Sequence, residues 1–288
     1  RWKGVAMELL CVENFCVGYG RQKVVEKVSF SVREGETAGI FGENGCGKTT
    51  LLKGIAGLIP GTAGKVYVGG RDVPGMTARK RAGLVSMLFS GAEVPEGILA
   101  EDPCDPWDQT EWRDEGPFHH EVLEMGWYAR LRFLQPPGGE LQREKEAVVR
   151  ELAIEGLLSK YFGALSQGQK QMVLTGRMLL QNTPVFLMDE PDNSLDFKHR
   201  HGLLRKVRTM AAEKRKAGLI VLHDPSLAMS YCDRVFLMRE GRIADVVCPG
   251  EETEEEIAEK IRDITGLVQV TKQGTSVIIS PEYFSSQR

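Results

Sequence analysis

The chain has 288 residues, 42% hydrophobic and 27% charged, with a formal net charge of −3. That is the balance of an ordinary globular protein, with room for one large α/β domain and a subdomain or for two small domains. The charge excludes a general electrostatic grip on nucleic acid, and no nucleic-acid partner is expected. No apolar run approaches the ~18 to 20 residues a membrane span requires. No signal-peptide pattern is read at the start, where Met7 is a candidate natural first residue. Six cysteines, at 11, 16, 46, 104, 232 and 248, lack C-x-x-C spacing and read as reduced thiols.

In chain order, residues 8–12 and 28–32 alternate in places as short strands, the second ending at the turn 33–36. Between them Tyr19 sits between Gly18 and Gly20, either a simple turn residue or an aromatic placed to stack on a base. The apolar run 38–41 leads into Gly42-Glu43-Asn44-Gly45-Cys46-Gly47-Lys48-Thr49-Thr50, the form G-x-x-x-x-G-K-[ST], followed by Leu51-Leu52. Strand, glycine-rich turn and helix start are what a phosphate-binding loop needs. The glycines keep Cβ atoms away, so that successive N–H groups close around an anion at a helix N-terminus. Lys48 supplies charge for the β- and γ-phosphates, and the Thr49 hydroxyl is placed to ligate Mg²⁺. The pattern implies a bound nucleoside triphosphate. Cys46, beside Lys48 at the helix start, is expected to have a lowered thiol pKa, with ATP protecting it from alkylation.

A strand is read at 65–68, after the turn 60–64. From Glu96 to Glu115 there are eight acids and one base, Arg113, an expected solvated acidic loop or a partner contact. His119 and His120 follow without ligand spacing. Leu165-Ser166-Gln167-Gly168-Gln169 opens a helical stretch, where Ser166 can cap the helix or offer its hydroxyl to phosphate. Residues 184–190 are an apolar run ending in Asp189 and Glu190, as a buried parallel strand ends at a ligand site. Asp189 is the Mg²⁺-side acid and Glu190 the candidate base for an attacking water. His223 ends a further strand, 219–222. An acidic helix is read at 251–262, then a hairpin through 267–270 and 277–279.

Leu165–Gln169 resembles the LSGGQ signature of ABC transporter ATPases. The phosphate loop, the acidic strand, Asn193-Ser194-Leu195-Asp196 at the D-loop and His223 at the switch histidine follow that family's order. The resemblance implies an α/β fold: a P-loop NTPase core of ABC ATPase type with an N-terminal antiparallel β subdomain and a helical signature subdomain. It divides the chain into a nucleotide-binding domain at 7–247 and a C-terminal helix and hairpin at 248–288. The helical subdomain falls at about 88–176, with the acidic insertion at about 96–120. ATP and Mg²⁺ are the implied substrate and cofactor. Tyr19 then stacks on adenine, and Gly42, Asn44, Gly45, Cys46, Gly47, Lys48, Thr49 and Thr50 hold the phosphates. Thr49 and Asp189 face the metal, and Lys48, Glu190 and His223 serve hydrolysis. Ser166, Gly168, Gln169 and Asp196 act across a head-to-tail homodimer that encloses two ATPs.

Residues 122–131, 222–228 and 233–243 are similar to importers of ferric siderophores, haem and cobalamin. That likeness implies a peripheral subunit on the cytoplasmic face of the membrane, with a separate permease and a substrate-binding protein. A soluble ABC ATPase outside transport, another cargo, export, and a nucleotide sensor with little turnover stay open. Besides the acidic insertion, the sequence departs from the family at three places. Met87 is read where a loop glutamine belongs, and a thioether cannot replace an amide there. Asp192 stands for Thr or Ser, and Gln167 for a signature glycine.

Overall fold

The computed structural model describes residues 7–20, 22–89, 119–128, 130–131, 138–160 and 162–282, with backbone alone at 119–121. The acidic stretch at 96–118, the side chains of His119 and His120, and Cys104 therefore lie outside the described residues. The elements run β1 (Glu8–Tyr19), β2 (Gln22–Arg33), β3 (Thr37–Gly42), α1 (Lys48–Ile55), β4 (Gly61–Val68), β5 (Arg71–Asp72) and α2 (Ala78–Ala82). Then come β6 (Val85–Leu88), α3 (His119–Glu124), α4 (Gly139–Leu152), α5 (Gln167–Gln181), β7 (Val185–Asp189), α6 (Phe197–Glu213) and β8 (Ala217–Val221). The chain ends in α7 (Pro225–Tyr231), β9 (Arg234–Arg239), β10 (Arg242–Val247), α8 (Glu254–Thr265), β11 (Val268–Gln273) and β12 (Ser276–Pro281).

β11 and β12 pair as a separate antiparallel hairpin, and two large sheets organise most of the other elements. One is antiparallel, in the order β2-β1-β4-β5; the other runs β10-β9-β3-β8-β7-β6 and is parallel except for β10. The residues of β3, β7 and β8 are buried throughout, which is why they read as unbroken apolar runs. Successive side chains point to opposite faces. Ile40, Met87, Leu187 and Leu219 therefore join α1 and the antiparallel sheet in one core. Phe41, Leu88, Met188 and Ile220 join α4, α5, α6 and α7 in the other. The phosphate-loop helix thus lies between the two sheets, and the signature helix α5 on the far side of the parallel one.

The first hairpin differs from its expected form. The two short strands extend into β1 and β2, joined directly at Tyr19 and Gln22, because bulges between Val12 and Gly18 let one strand bend and continue. The expected 65–68 strand likewise starts earlier, at Gly61. The C-terminal helix begins at Glu254 rather than 251, where Thr253 and Glu256 form a capping box. Strand β12 is then tied to α7 by two serines. Ser230 Oγ accepts from Val277 N at 2.8 Å, and Ser226 Oγ accepts from Ile279 N at 3.0 Å. Among the described residues, no helix is long and apolar enough to cross a membrane.

Candidate nucleotide site

Three strand ends and the start of one helix build the site. Strand β3 delivers the chain into the loop 42–47, and α1 begins at Lys48 with no side chain capping it. The free N–H groups of its first turn therefore face whatever occupies the loop. Gly45 (φ 79°) and Gly47 (φ 105°) adopt the left-handed region that other residues resist. Gly42 has no room for a side chain: a Cβ there would lie 2.1 Å from Met238 O. Lys48 Nζ donates to Gly42 O and to Glu43 O, each at 2.9 Å, so the ammonium is drawn back along its own loop. Two carbonyls hold it in the place where phosphate oxygens are stronger acceptors.

The acid pair stands opposite. Asp189, the last residue of β7, is 2% exposed, and its Oδ1 is buried without a hydrogen-bond partner among the described residues. Burial pushes its carboxyl above the usual range; the Thr49 hydroxyl bond pulls it back, neighbouring Glu190 adds to the rise, and Lys53 and Lys48 oppose it. An orphaned carboxylate oxygen beside a threonine hydroxyl fits a hard divalent cation that keeps several waters and takes phosphate oxygens as further ligands. Thr49 and Asp189 are the residues that would hold it.

Glu190 follows with φ 51°, and its N–H donates to Val221 O at 3.1 Å, which ties it to the end of β8. Its Oε1 contacts His223 Nε2, and its Oε2 accepts from Asn193 Nδ2 at 2.5 Å. The parallel register places Asp189 beside Val221, so the acids and the histidine come from adjacent strand ends. Such ends are where open α/β sheets gather ligands. Asn193 had no place among the sequence-derived site residues; its position three after Glu190, inside a tight turn, is the signal that marks it.

Two expectations are corrected. The Cys46 thiol is not acidified, because burial at 9% exposure pushes it up and outweighs the opposing pull of Lys48. Met87 does not reach the site. It lies inside β6 opposite Leu187, with its side chain in the core under α1. Phe89, just past the Leu88–Met188 pair, is level with Asp189, and Lys53 Nζ lies 5.4 Å from its ring centroid. An apolar run such as 84–89 carries no internal landmark, so the sequence alone does not say which of its side chains turns into the core.

The remaining residues lie further from the loop. Tyr19 ends β1 with 53% of its surface exposed, its ring face open to stacking. Ser166 caps α5: its Oγ accepts from Gln169 N at 3.3 Å, while Gln169 Oε1 accepts from Ser166 N at 3.0 Å. Gly168 lets α5 approach the 191–195 turn, since a Cβ would sit 2.8 Å from Ser194 O. Gln167 in the altered signature is exposed on the first turn. Asp196 caps α6 and also bonds His199 Nδ1 at 2.8 Å. Among the described residues, none of these signature or D-loop hydrogen bonds reaches the 42–50 loop of the same chain.

A phosphate loop facing a buried acid, a second acid and a histidine on parallel strand ends defines a P-loop nucleotide-hydrolysing site. The family model described as ABC transporter matches residues 25–193. The hemin import ATP-binding protein HmuV of Streptomyces coelicolor is 34% identical over 242 residues, covering 82% of this chain and 76% of that protein. HmuV of Vibrio cholerae is 30% identical, covering 88% and 89%. Among solved structures, an ATP-binding subunit of an ABC transporter superposes with TM-score 0.67 at 26% identity, covering 88% of this chain and 93% of that one. A putative metal-chelate type ABC transporter in an inward-facing conformation shares the fold, with TM-score 0.72 at 18% identity over 97% of this chain and 99% of that one. The chain belongs to the ABC transporter family and is an ATP-binding cassette ATPase.

Proposed function

We propose that this chain is the ATP-hydrolysing subunit of an importer for a ferric siderophore, haem or cobalamin, working on a separate membrane permease supplied by a substrate-binding protein. The cargo class is supported by relatives named for hemin, siderophore and cobalamin import, although one similar protein is named for sn-glycerol-3-phosphate import. Hydrolysis is carried by one observation above all, the contact of His223 Nε2 with Glu190 Oε1 at strand ends facing the phosphate loop. As a peripheral subunit the chain would act at the cytoplasmic membrane face.

In this reading Tyr19 stacks on adenine, and the N–H groups of residues 42–50 bind the phosphates. Lys48 leaves the Gly42 and Glu43 carbonyls for the β- and γ-phosphates. Thr49 and Asp189 would hold Mg²⁺, which would supply charge neutralisation for the phosphates. Glu190 accepts a proton from the attacking water, and His223 holds the γ-phosphate and that water in line. Phosphoryl transfer needs mostly positioning and charge compensation, which these groups provide. Ser166, Gly168, Gln169 and Asp196 complete the site of a second copy in a head-to-tail dimer. The exposed positions of Ser166, Gln167 and Asp196 support that arrangement.

The test is uptake in the source cells, comparing wild type with Glu190→Gln and offering labelled ferric siderophore, haem and cobalamin separately. Loss of one cargo alone is expected and names it. Normal entry of all three would rule out this import assignment.

A further inference from the structure

A helix N-cap needs one acceptor oxygen, as Asp224 shows at the start of α7: its Oδ1 accepts from both Ser226 N at 2.8 Å and Leu227 N at 3.3 Å. Asp196 caps α6 in the same way, with Oδ1 accepting from His199 N at 2.9 Å. Its second oxygen is held as well, by the side chain of the same residue, with Oδ2 2.8 Å from His199 Nδ1. The backbone bond from His199, and then its side-chain bond, hold the Asp196 carboxyl below the usual carboxylate range, so it is ionised at neutral pH. An ionised carboxylate only accepts, which makes Nδ1 the donor. Both side chains stay open, 66% exposed for Asp196 and 59% for His199. A pair so exposed adds little to the stability of the fold. What it fixes is the direction of the carboxylate. The turn leading into Asp196 abuts the signature, since a Cβ on Gly168 would lie 2.8 Å from Ser194 O. Phe197, next in sequence, is also exposed, its ring centroid 4.3 Å from that of His201.

We infer that His199 is a positioning residue for Asp196: its Nδ1–H holds the second carboxylate oxygen, so that the acid meets a second copy of the chain already oriented. The inference rests on the head-to-tail dimer proposed above, in which Asp196 acts across the interface. A side chain fixed before association need not be ordered during it, which favours binding. Helix capping is a separate matter. The bond from His199 N to Asp196 Oδ1 comes from the backbone and survives any side chain at 199 except proline. Substitution there therefore probes the Oδ2 bond while the cap of α6 stays intact. Asparagine places an amide N–H where Nδ1 stands, and alanine places none.

Sedimentation equilibrium of the full chain over a range of concentrations, with saturating ATP and Mg²⁺, tests this in a Glu190→Gln parent. His199→Ala, His199→Asn, Asp196→Ser and the Asp196→Ser/His199→Ala double variant are each added to that parent. An exposed pair of this kind is worth about threefold in each copy, and both copies carry it, so His199→Ala should weaken the dimer about tenfold. His199→Asn should stay within about twofold of the parent. Asp196→Ser keeps a capping oxygen but offers no second one to Nδ1. Adding His199→Ala to it should lose nothing further. The melting temperature of His199→Ala, and its ATP affinity at chain concentrations below dimerisation, should equal those of the parent. An unchanged or tighter dimer in His199→Ala, equal losses in His199→Ala and His199→Asn, or a lowered melting temperature in His199→Ala would overturn the inference. If the parent dimerises and His199→Ala matches it, only this inference falls. If the parent does not dimerise, the dimer reading fails and this inference fails with it.

Discussion

Lys48 and Cys46 are two residues apart, yet opposite physical terms govern them. The lysine is fixed by two carbonyls of its own loop, at the place where an anion would enter. The cysteine is buried, and desolvation outweighs the attraction of that same charge. Reading the loop as a helix N-terminus with a nearby cation captured the field but not the burial. Burial depends on Val24, Val25 and Met238, which pack around the loop from other parts of the chain. We therefore predict that Cys46 alkylates more slowly than free cysteine at pH 7 and speeds up as pH rises, with ATP affinity retained over the period in which free cysteine is consumed. Mass spectrometry of the modified chain beside a nucleotide-binding assay checks this; rapid modification at neutral pH would contradict it. The motif positions were legible because their spacing is a backbone property. The Glu190–Asn193 bond and the level of Phe89 were not, since both depend on how β6 and β7 align.

Among the elements, α5 shows how a helix links the signature to the core. Ser166 and Gln169 close its N-terminus, and Asn182, with φ 53°, ends it. Lys216, at the entry to β8, reaches back to donate to Asn182 Oδ1 at 2.7 Å and to Thr183 O at 2.6 Å. Burial lowers this lysine from 10.5 to about 8; Lys214 and Arg130 push the same way, and Glu144 opposes them. In the folded chain it gives up its proton near pH 8, whereas the unfolded chain holds that proton until about 10.5. Below pH 8 both states are protonated and this residue contributes no slope. Between the two values the unfolded state binds more protons, so stability should rise with pH, by about 3 kcal/mol at most. Lys216→Met should flatten that rise. Urea denaturation midpoints from pH 7.5 to 10 read it directly, and equal slopes in both proteins would contradict the assignment. None of this was visible in the sequence, where Lys214-Arg215-Lys216 reads as an ordinary charged stretch. The capping boxes of α5 and α8 follow a local pattern, but the α8 start was placed three residues early because the acids from Glu251 onward blur it.

For the whole molecule, the parallel sheet separates two cores, one around α1 and the antiparallel sheet, the other around the signature side. That partition follows from the buried central strands and was readable from their apolar runs. The sequence did not indicate that the C-terminal hairpin would be bonded to α7, the helix directly after His223 and Asp224. The partition puts the phosphate loop and the signature on opposite sides of one sheet, so under the proposed function a second copy would bring them together. The most direct test is the mass of Glu190→Gln by sedimentation equilibrium with saturating ATP and Mg²⁺. The account predicts a doubling of the 32.0 kDa chain mass that reverses when nucleotide is removed. A variant that binds ATP yet keeps the single-chain mass would contradict it.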